Sequence, residues 1–204
     1  MIDIDYLYTL HSVPLFLKPN WEDLWGLRPA GENSSVLVKE GETYTKKQIF
    51  RKYKSYLRIP GFDRNTGKSY MFGDSFSEEE RFVPLPHEIE PLHRWASWFF
   101  GLSFDQCVIN WYDVGDYIEA HSDCTAKLDQ DAGIVSISFY EKSTGRSFMD
   151  FEGREGTEYY GHESRELLQD GTAVYMRSKC QQKARHSVGP SSQKRVSVTF
   201  RKMK

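Results

Sequence analysis

The chain has 204 residues, a formal net charge of −2, 39% hydrophobic and 15% aromatic residues. That suits one domain with a real core and gives no overall nucleic-acid signal. No apolar run approaches the roughly 20 residues of a membrane span, and MIDIDYLYTL lacks the basic start and apolar stretch of a signal peptide, so an intracellular (cytoplasmic or nuclear) protein is expected.

To about Thr43 the pattern is irregular, except that PNWEDLW predicts a short helix opening at Trp21. Lys46 to Tyr56 reads as a basic helix with interleaved aromatics. The following RIPGFDRNTGKSY carries turn signals at Pro60-Gly61 and Asn65-Thr66-Gly67, as a loop would. From Pro86 to Gly101 apolar residues recur at helical spacing through Ile89, Leu92, Trp95, Ala96 and Phe99. Pro91 fits the first turn and Gly101 the C-terminal cap. This stripe reads as core.

After Ser103 the character changes. CVINWY, DYIEAHSD, GIVSISFY, SFMDFE, TAVYMR and RVSVTFR are short and often alternate polar with apolar residues, as strands do. Turn signals at Val114-Gly115-Asp116, Ser143-Thr144-Gly145 and Asp170-Gly171 separate several of them. Many short strands with polar turns indicate a sandwich or barrel. The expected organisation is one domain of mainly β (α+β) class, with a helical and lid region over residues 1–102 and a β core over 103–204.

Charge is unevenly spread. Arg177 to Lys204 holds nine Lys or Arg and no acid, and Lys46 to Lys68 holds eight against Asp63 alone. Phe50, Tyr53, Tyr56 and Phe62 interleave with the second run. One basic face would suit a phosphate backbone; the plainer alternative is a set of solvated faces balanced by acids nearby in space. Three cysteines, Cys107, Cys124 and Cys180, form no CxxC pair, so they predict neither a zinc site nor a disulfide framework and read as buried thiols.

His121-Ser122-Asp123 closes one predicted strand. Residues i and i+2 of a strand share a face, so the imidazole and carboxylate can converge on one ion. His186, between the strands TAVYMR and RVSVTFR, is the best third ligand. Two histidines and a carboxylate on one face of an octahedron leave three positions open, the arrangement of non-haem Fe(II) oxygenases. A lone HxD carries little weight in a chain with six histidines; His11, His87, His93 and His162 read as surface or core residues.

The neighbouring motifs add the weight. Asn110-Trp111-Tyr112 precedes Gly115, His121 and Asp123; Ser136-Ile137-Ser138, His186 and Arg195-Val196-Ser197-Val198-Thr199-Phe200-Arg201 follow in order. This resembles the AlkB family of 2-oxoglutarate oxygenases across the C-terminal half, most specifically in its last strand. The resemblance implies a double-stranded β-helix, or jelly roll, with N-terminal helices and a substrate lid. It implies Fe(II) on His121, Asp123 and His186, with 2-oxoglutarate and O2 completing the site. Arg195 would pair with the distal carboxylate of 2-oxoglutarate, and Asn110, Tyr112, Ser197 and Arg201 would complete its pocket. Two features depart from the family pattern: Ser197 stands where Asn is usual, and only nine positions separate His186 from Arg195.

The implied activity is oxidative demethylation of N-alkylated bases in DNA or RNA, a repair chemistry releasing formaldehyde and succinate. A single-stranded or flipped base would be the partner, and the protein would act as a monomer. Arg51, Lys52 and Lys54 would then meet phosphates, and Tyr53, Tyr56 or Phe62 would stack on a base, unless those aromatics pack the lid onto the core. Two alternatives stand beside this: a hydroxylase of a protein side chain or small molecule using the same residues, and a non-catalytic jelly-roll binding module.

Overall fold

A computed structural model of the chain describes residues 3–30, 35–40, 43–48, 51–57, 84–123, 128–129 and 131–203. In chain order its strands are β1 (Tyr8–Ser12), β2 (Ser35–Glu40), β3 (Thr43–Gln48), β4 (Lys52–Leu57), β5 (Gln106–Tyr112) and β6 (Ile118–His121). They continue with β7 (Ile134–Tyr140), β8 (Arg146–Gly153), β9 (Glu163–Gln169), β10 (Thr172–Met176), β11 (Ala184–Val188) and β12 (Arg195–Arg201). The helices are α1 (Trp21–Gly26), α2 (Glu90–Phe100) and α3 (Cys180–Lys183).

The strands form a jelly roll. A major sheet runs β1-β10-β7-β12-β5-β4 and a minor sheet β6-β11-β8-β9, with β2 and β3 as a separate hairpin. The strand pairs within these sheets are antiparallel. Apolar residues of both sheets meet between them: Ile134, Val174 and Met176 from the major sheet pack with Met149, Phe151, Leu168 and Val188 from the minor.

The outer face of the major sheet is covered by helix. Ile89, Leu92, Trp95 and Ala96 pack on Ile109 and Trp111 of β5, Ile137 of β7, and Val196, Val198 and Phe200 of β12. The stripe at 3- and 4-residue steps is thus core, as its spacing indicates. Gly101 takes φ +64 and its N–H caps the last carbonyls of α2, a left-handed conformation that glycine adopts at little cost. At the other end of the chain, Asn20 caps α1 through its side-chain oxygen, which accepts from Glu22 N and Asp23 N.

Three sequence expectations change. Lys46 to Tyr56 is strand, not helix: β3 ends at Gln48, and β4 pairs along β5. Lys and Gln favour helices in isolation, but Tyr53 and Tyr56 suit a strand, and the edge of β5 offers a full ladder of backbone hydrogen bonds. The irregular first stretch contains β1, which extends the major sheet beyond β10. Strands β9 and β11 also carry no clear signal: ESRELLQ is mostly polar, and ARHSV is only five residues long. The segment RIPGFDRNTGKSY and Cys124 lie outside the described residues. Cys107 and Cys180 are buried free thiols; burial pushes both thiols up, Cys180 to about 12, so both stay protonated and inert.

Candidate metal and cosubstrate site

His121 ends β6, and His186 lies directly opposite it on β11. A cross-strand pair shares one face of the sheet, and the two ring centroids are 4.4 Å apart. Asp123 follows two residues later. Its N–H donates to Gln181 Oε1 of α3 at 2.7 Å, and its Oδ1 lies 3.7 Å from His121 Nε2. One ligand atom from each of the three residues lies within 4.8 Å of the others. The resulting donor set is two imidazoles and one carboxylate.

Protonation suits a cation. His121 Nδ1 lies 2.9 Å from Glu119 O. A carbonyl only accepts, so Nδ1 carries the proton and Nε2 keeps its lone pair for an ion. Burial, then the neighbouring His121, hold His186 far below the usual imidazole range, at about 3. His121 is lowered too, chiefly by burial. For Asp123 burial is the largest influence and acts to raise the carboxyl, but Arg201, His186 and His121 together outweigh it and hold it at about 2. At neutral pH the three are in the deprotonated form that metal ligands require. Arg201 Nη2 donates to Asp123 Oδ2 at 2.7 Å, between side chains that are both 4% exposed.

β12 supplies the floor of the cavity. It lies between β5 and β7, and all seven of its residues are buried. Its apolar residues Val196, Val198 and Phe200 pack beneath α2, while Arg195, Ser197, Thr199 and Arg201 line the cavity with the His/Asp/His cluster. Arg195 Nε and Nη2 donate to Ser138 Oγ at 3.3 and 3.0 Å. The guanidinium carbon lies 4.6 Å from the Tyr112 ring centroid. Arg195 is 1% exposed, and its Nη1 finds no hydrogen-bond partner among the described residues. No carboxylate pairs with it there either. A buried guanidinium so left is costly unless an anion completes it, and its planar fork matches a carboxylate.

Asn110 Oδ1 accepts from Arg51 Nε at 3.0 Å, and Asn110 Nδ2 lies 3.4 Å from Ser197 Oγ. Asn110, Tyr112, Ser197 and Arg201 therefore gather with Arg195 around the cavity that His121, Asp123 and His186 share. Three contributors escape sequence reading. Gln181 holds the Asp123 backbone from 58 positions away, with no motif to announce it. Ser138 is visible in the Ser-x-Ser strand, but its grip on Arg195 is not. Arg51 reads as a phosphate contact, yet it is buried and lines the cavity. His186 Nδ1 is buried without a hydrogen-bond partner among the described residues. Together with the donor set and the anion-seeking Arg195, that unspent atom fits a site built for a metal and an acidic cosubstrate.

The remaining basic residues are largely balanced. Lys183 pairs with Glu158 at 2.7 Å, Arg185 with Glu152 at 3.3 Å, Lys194 with Glu141 at 3.8 Å and Lys202 with Asp129 at 3.0 Å. Arg195 and Arg201 turn inward. Six of the nine basic residues of the C-terminal run are thus ion-paired at the surface or buried, while Arg177 and Lys179 are exposed. In β4, Lys52 Nζ donates to Pro29 O, and Tyr56 is core at 3% exposed. Tyr56 thus packs the segment onto the jelly roll instead of offering a stacking surface. Phe62 lies outside the described residues. Among the described residues no helix is long and apolar enough to cross a membrane.

Comparison with known proteins agrees with this geometry. No curated protein matches the chain. Among solved structures, that of OsALKBH1 superposes with a TM-score of 0.56 at 15% identity, covering 96% of this chain and 98% of that one. The likeness extends the AlkB resemblance from the motifs to the fold. The family model of the 2OG-Fe(II) oxygenase superfamily matches residues 10–201. That family uses Fe(II), 2-oxoglutarate and O2, and with the match spanning nearly the whole chain, this protein belongs to the 2OG-Fe(II) oxygenase superfamily.

Proposed function

We propose that this oxygenase removes N-methyl groups from bases in DNA or RNA, with His121, Asp123 and His186 as the iron ligands and Arg195 as the anchor of 2-oxoglutarate. The observation that carries the site assignment is the buried Arg195 fork, 1% exposed and without a carboxylate among the described residues, in the same cavity as the His/Asp/His cluster. The N-methyl substrate rests on the AlkB-like order of motifs from Asn110 to Arg201.

With both bound, iron and 2-oxoglutarate supply the oxidation of a substrate C–H bond by O2, releasing succinate and carbon dioxide. On an N-methyl base the product is a hydroxymethyl group, which leaves as formaldehyde and returns the proton to the nitrogen. The chain's residues orient and insulate this chemistry. Arg201 and the Gln181 side chain fix Asp123, whose Oδ1 would be left to hold the ion. Glu119 O fixes the His121 tautomer. Arg195, held by Ser138 and backed by Tyr112, would hold a carboxylate of 2-oxoglutarate. Ile118, Met149, Met176 and Val188 give the cavity its apolar lining.

A second reading is hydroxylation of a protein side chain or small molecule. It is favoured by the ion pairs that Lys183, Arg185, Lys194 and Lys202 make with nearby acids, which take up part of the basic C-terminal run. A non-catalytic module is disfavoured, because all three ligands and Arg195 are present. The test incubates the iron-loaded protein with ascorbate, 2-oxoglutarate and single-stranded DNA or RNA carrying 1-methyladenine or 3-methylcytosine. Methyl loss that requires 2-oxoglutarate is expected. Succinate without methyl loss would move the substrate to the second reading.

A further inference from the structure

We infer that Arg51 is a positioning residue for the cosubstrate, acting through the amide of Asn110. The inference rests on the proposed role of Asn110 in holding 2-oxoglutarate and concerns what makes that role possible.

An asparagine side chain has a donor end and an acceptor end, and its neighbours decide which end faces which way. Here the two neighbours are unequal. Ser197 Oγ, 3.4 Å from Asn110 Nδ2, is a hydroxyl that donates or accepts, so it satisfies the amide in either orientation. Arg51 Nε, 3.0 Å from Asn110 Oδ1, only donates. It therefore fixes the oxygen toward β4 and turns the NH2 toward the cavity. One NH2 hydrogen serves Ser197, and the other remains for an acceptor. The oxygens of 2-oxoglutarate are all acceptors, so this is the orientation the cosubstrate needs. The reversed amide would set oxygen against oxygen.

The surroundings support a dedicated role. Arg51 is 7% exposed and Asn110 8% exposed, and both line the cavity with Arg195 and Ser197. A buried Arg–Asn contact of this kind acts in a low dielectric, where a charge-assisted bond is strong. Its placement also follows the sequence departure at Ser197. Serine is too short and too ambivalent to orient the amide, and β4 brings Arg51 against the opposite side of Asn110.

The test measures 2-oxoglutarate affinity calorimetrically on the full chain loaded with Mn(II), which binds the cosubstrate without turnover. Mn(II) affinity is measured in parallel. Arg51→Met should weaken 2-oxoglutarate binding about tenfold, the worth of one buried hydrogen bond to a charged group, and leave Mn(II) affinity unchanged. Asn110→Ala should weaken it similarly, and adding Arg51→Met to Asn110→Ala should cost nothing further. With Fe(II), the Arg51→Met defect should fall on KM for 2-oxoglutarate, with kcat within about threefold of wild type, since each tenfold in rate requires about 1.4 kcal/mol. Wild-type affinity in Arg51→Met would overturn the inference. So would an undiminished Arg51→Met effect in the Asn110→Ala background, because Arg51 would then act on the ligand directly. If Arg51→Met fails to hold Mn(II), Asn110→Asp decides: it still accepts from Arg51 but has no donor. It should lose affinity about tenfold, and wild-type affinity there would refute the donor orientation. A wild-type protein that binds Mn(II) but no 2-oxoglutarate would instead refute the proposed function.

Discussion

Asp123 is the residue on which the site converges. It faces both histidines, accepts from Arg201, and is held through its own N–H by Gln181. Asp123→Ala should therefore abolish both metal binding and turnover, as metal analysis and succinate formation would check. It also leaves Arg201 buried without its carboxylate, which costs about 3–5 kcal/mol for a broken buried pair; chemical denaturation of the metal-free protein reads this. Arg195→Met should weaken 2-oxoglutarate by roughly 10–100-fold, as expected for hydrogen bonds to a charged group, with metal affinity kept. The acid response follows from the lowered ligand groups, His186 and Asp123 furthest, with His121 lowered in the same direction. His186 sits at about 3 in the fold against 6.5 ordinarily, and Asp123 at about 2 against 3.8. In both cases the unfolded chain binds the proton first. Stability of the metal-free protein is thus greatest above pH 6.5. It falls as pH drops toward 3, by about 1.4 kcal/mol per pH unit for one proton. A urea midpoint that declines from pH 7 to pH 5 in wild type, and less steeply in His186→Leu, is the expected result. At this scale the short motifs were legible: HxD carries its own strand geometry, and Arg195 sits in a specific pattern. Arg51 and Gln181 were not, because their work depends on contacts 59 and 58 positions away.

Among the elements, β12 explains why alternation is informative and misleading at once. The period of two in RVSVTFR marks a strand, and ordinary experience sends its polar residues to solvent. Here both faces are buried: one under α2, the other in the cavity. Motif order, not periodicity, points to the right face. Helix α2 makes the complementary case. Its apolar stripe and capping glycine were readable, and its packing against β5 and β12 follows. Leu92→Ala should cost about 2–5 kcal/mol, as large-to-small changes in a closed core do, while metal affinity of the folded fraction stays the same. A stability change below about 0.5 kcal/mol would mean that α2 is not the lid of the outer core. The edge strand β4 reads as helix because its lysines favour helix locally, whereas its ladder with β5 is a long-range term. The same long-range pairing decides the place of Arg51, which enters the cavity because β4 lies beside β5.

At the scale of the whole molecule, two sheets bring residues 110 to 201 to one point. β5 and β12 supply the cavity wall that carries Asn110, Tyr112, Arg195 and Ser197, β6 and β11 the histidine pair, and α3 the brace for Asp123. The jelly roll was legible from strand count and motif order, but the balance of surface charge was not, since ion pairs such as Lys202–Asp129 and Arg185–Glu152 join distant segments. The most direct test of the site is to load wild type and the His121→Ala, Asp123→Ala and His186→Ala variants with iron under nitrogen. Each is then assayed for bound metal and, after admission of O2, for succinate formed from 2-oxoglutarate. Wild type should hold one iron per chain and form succinate, and each folded variant should lose both. A folded variant that keeps its iron and its succinate would show that the metal sits elsewhere and would contradict the assignment of His121, Asp123 and His186.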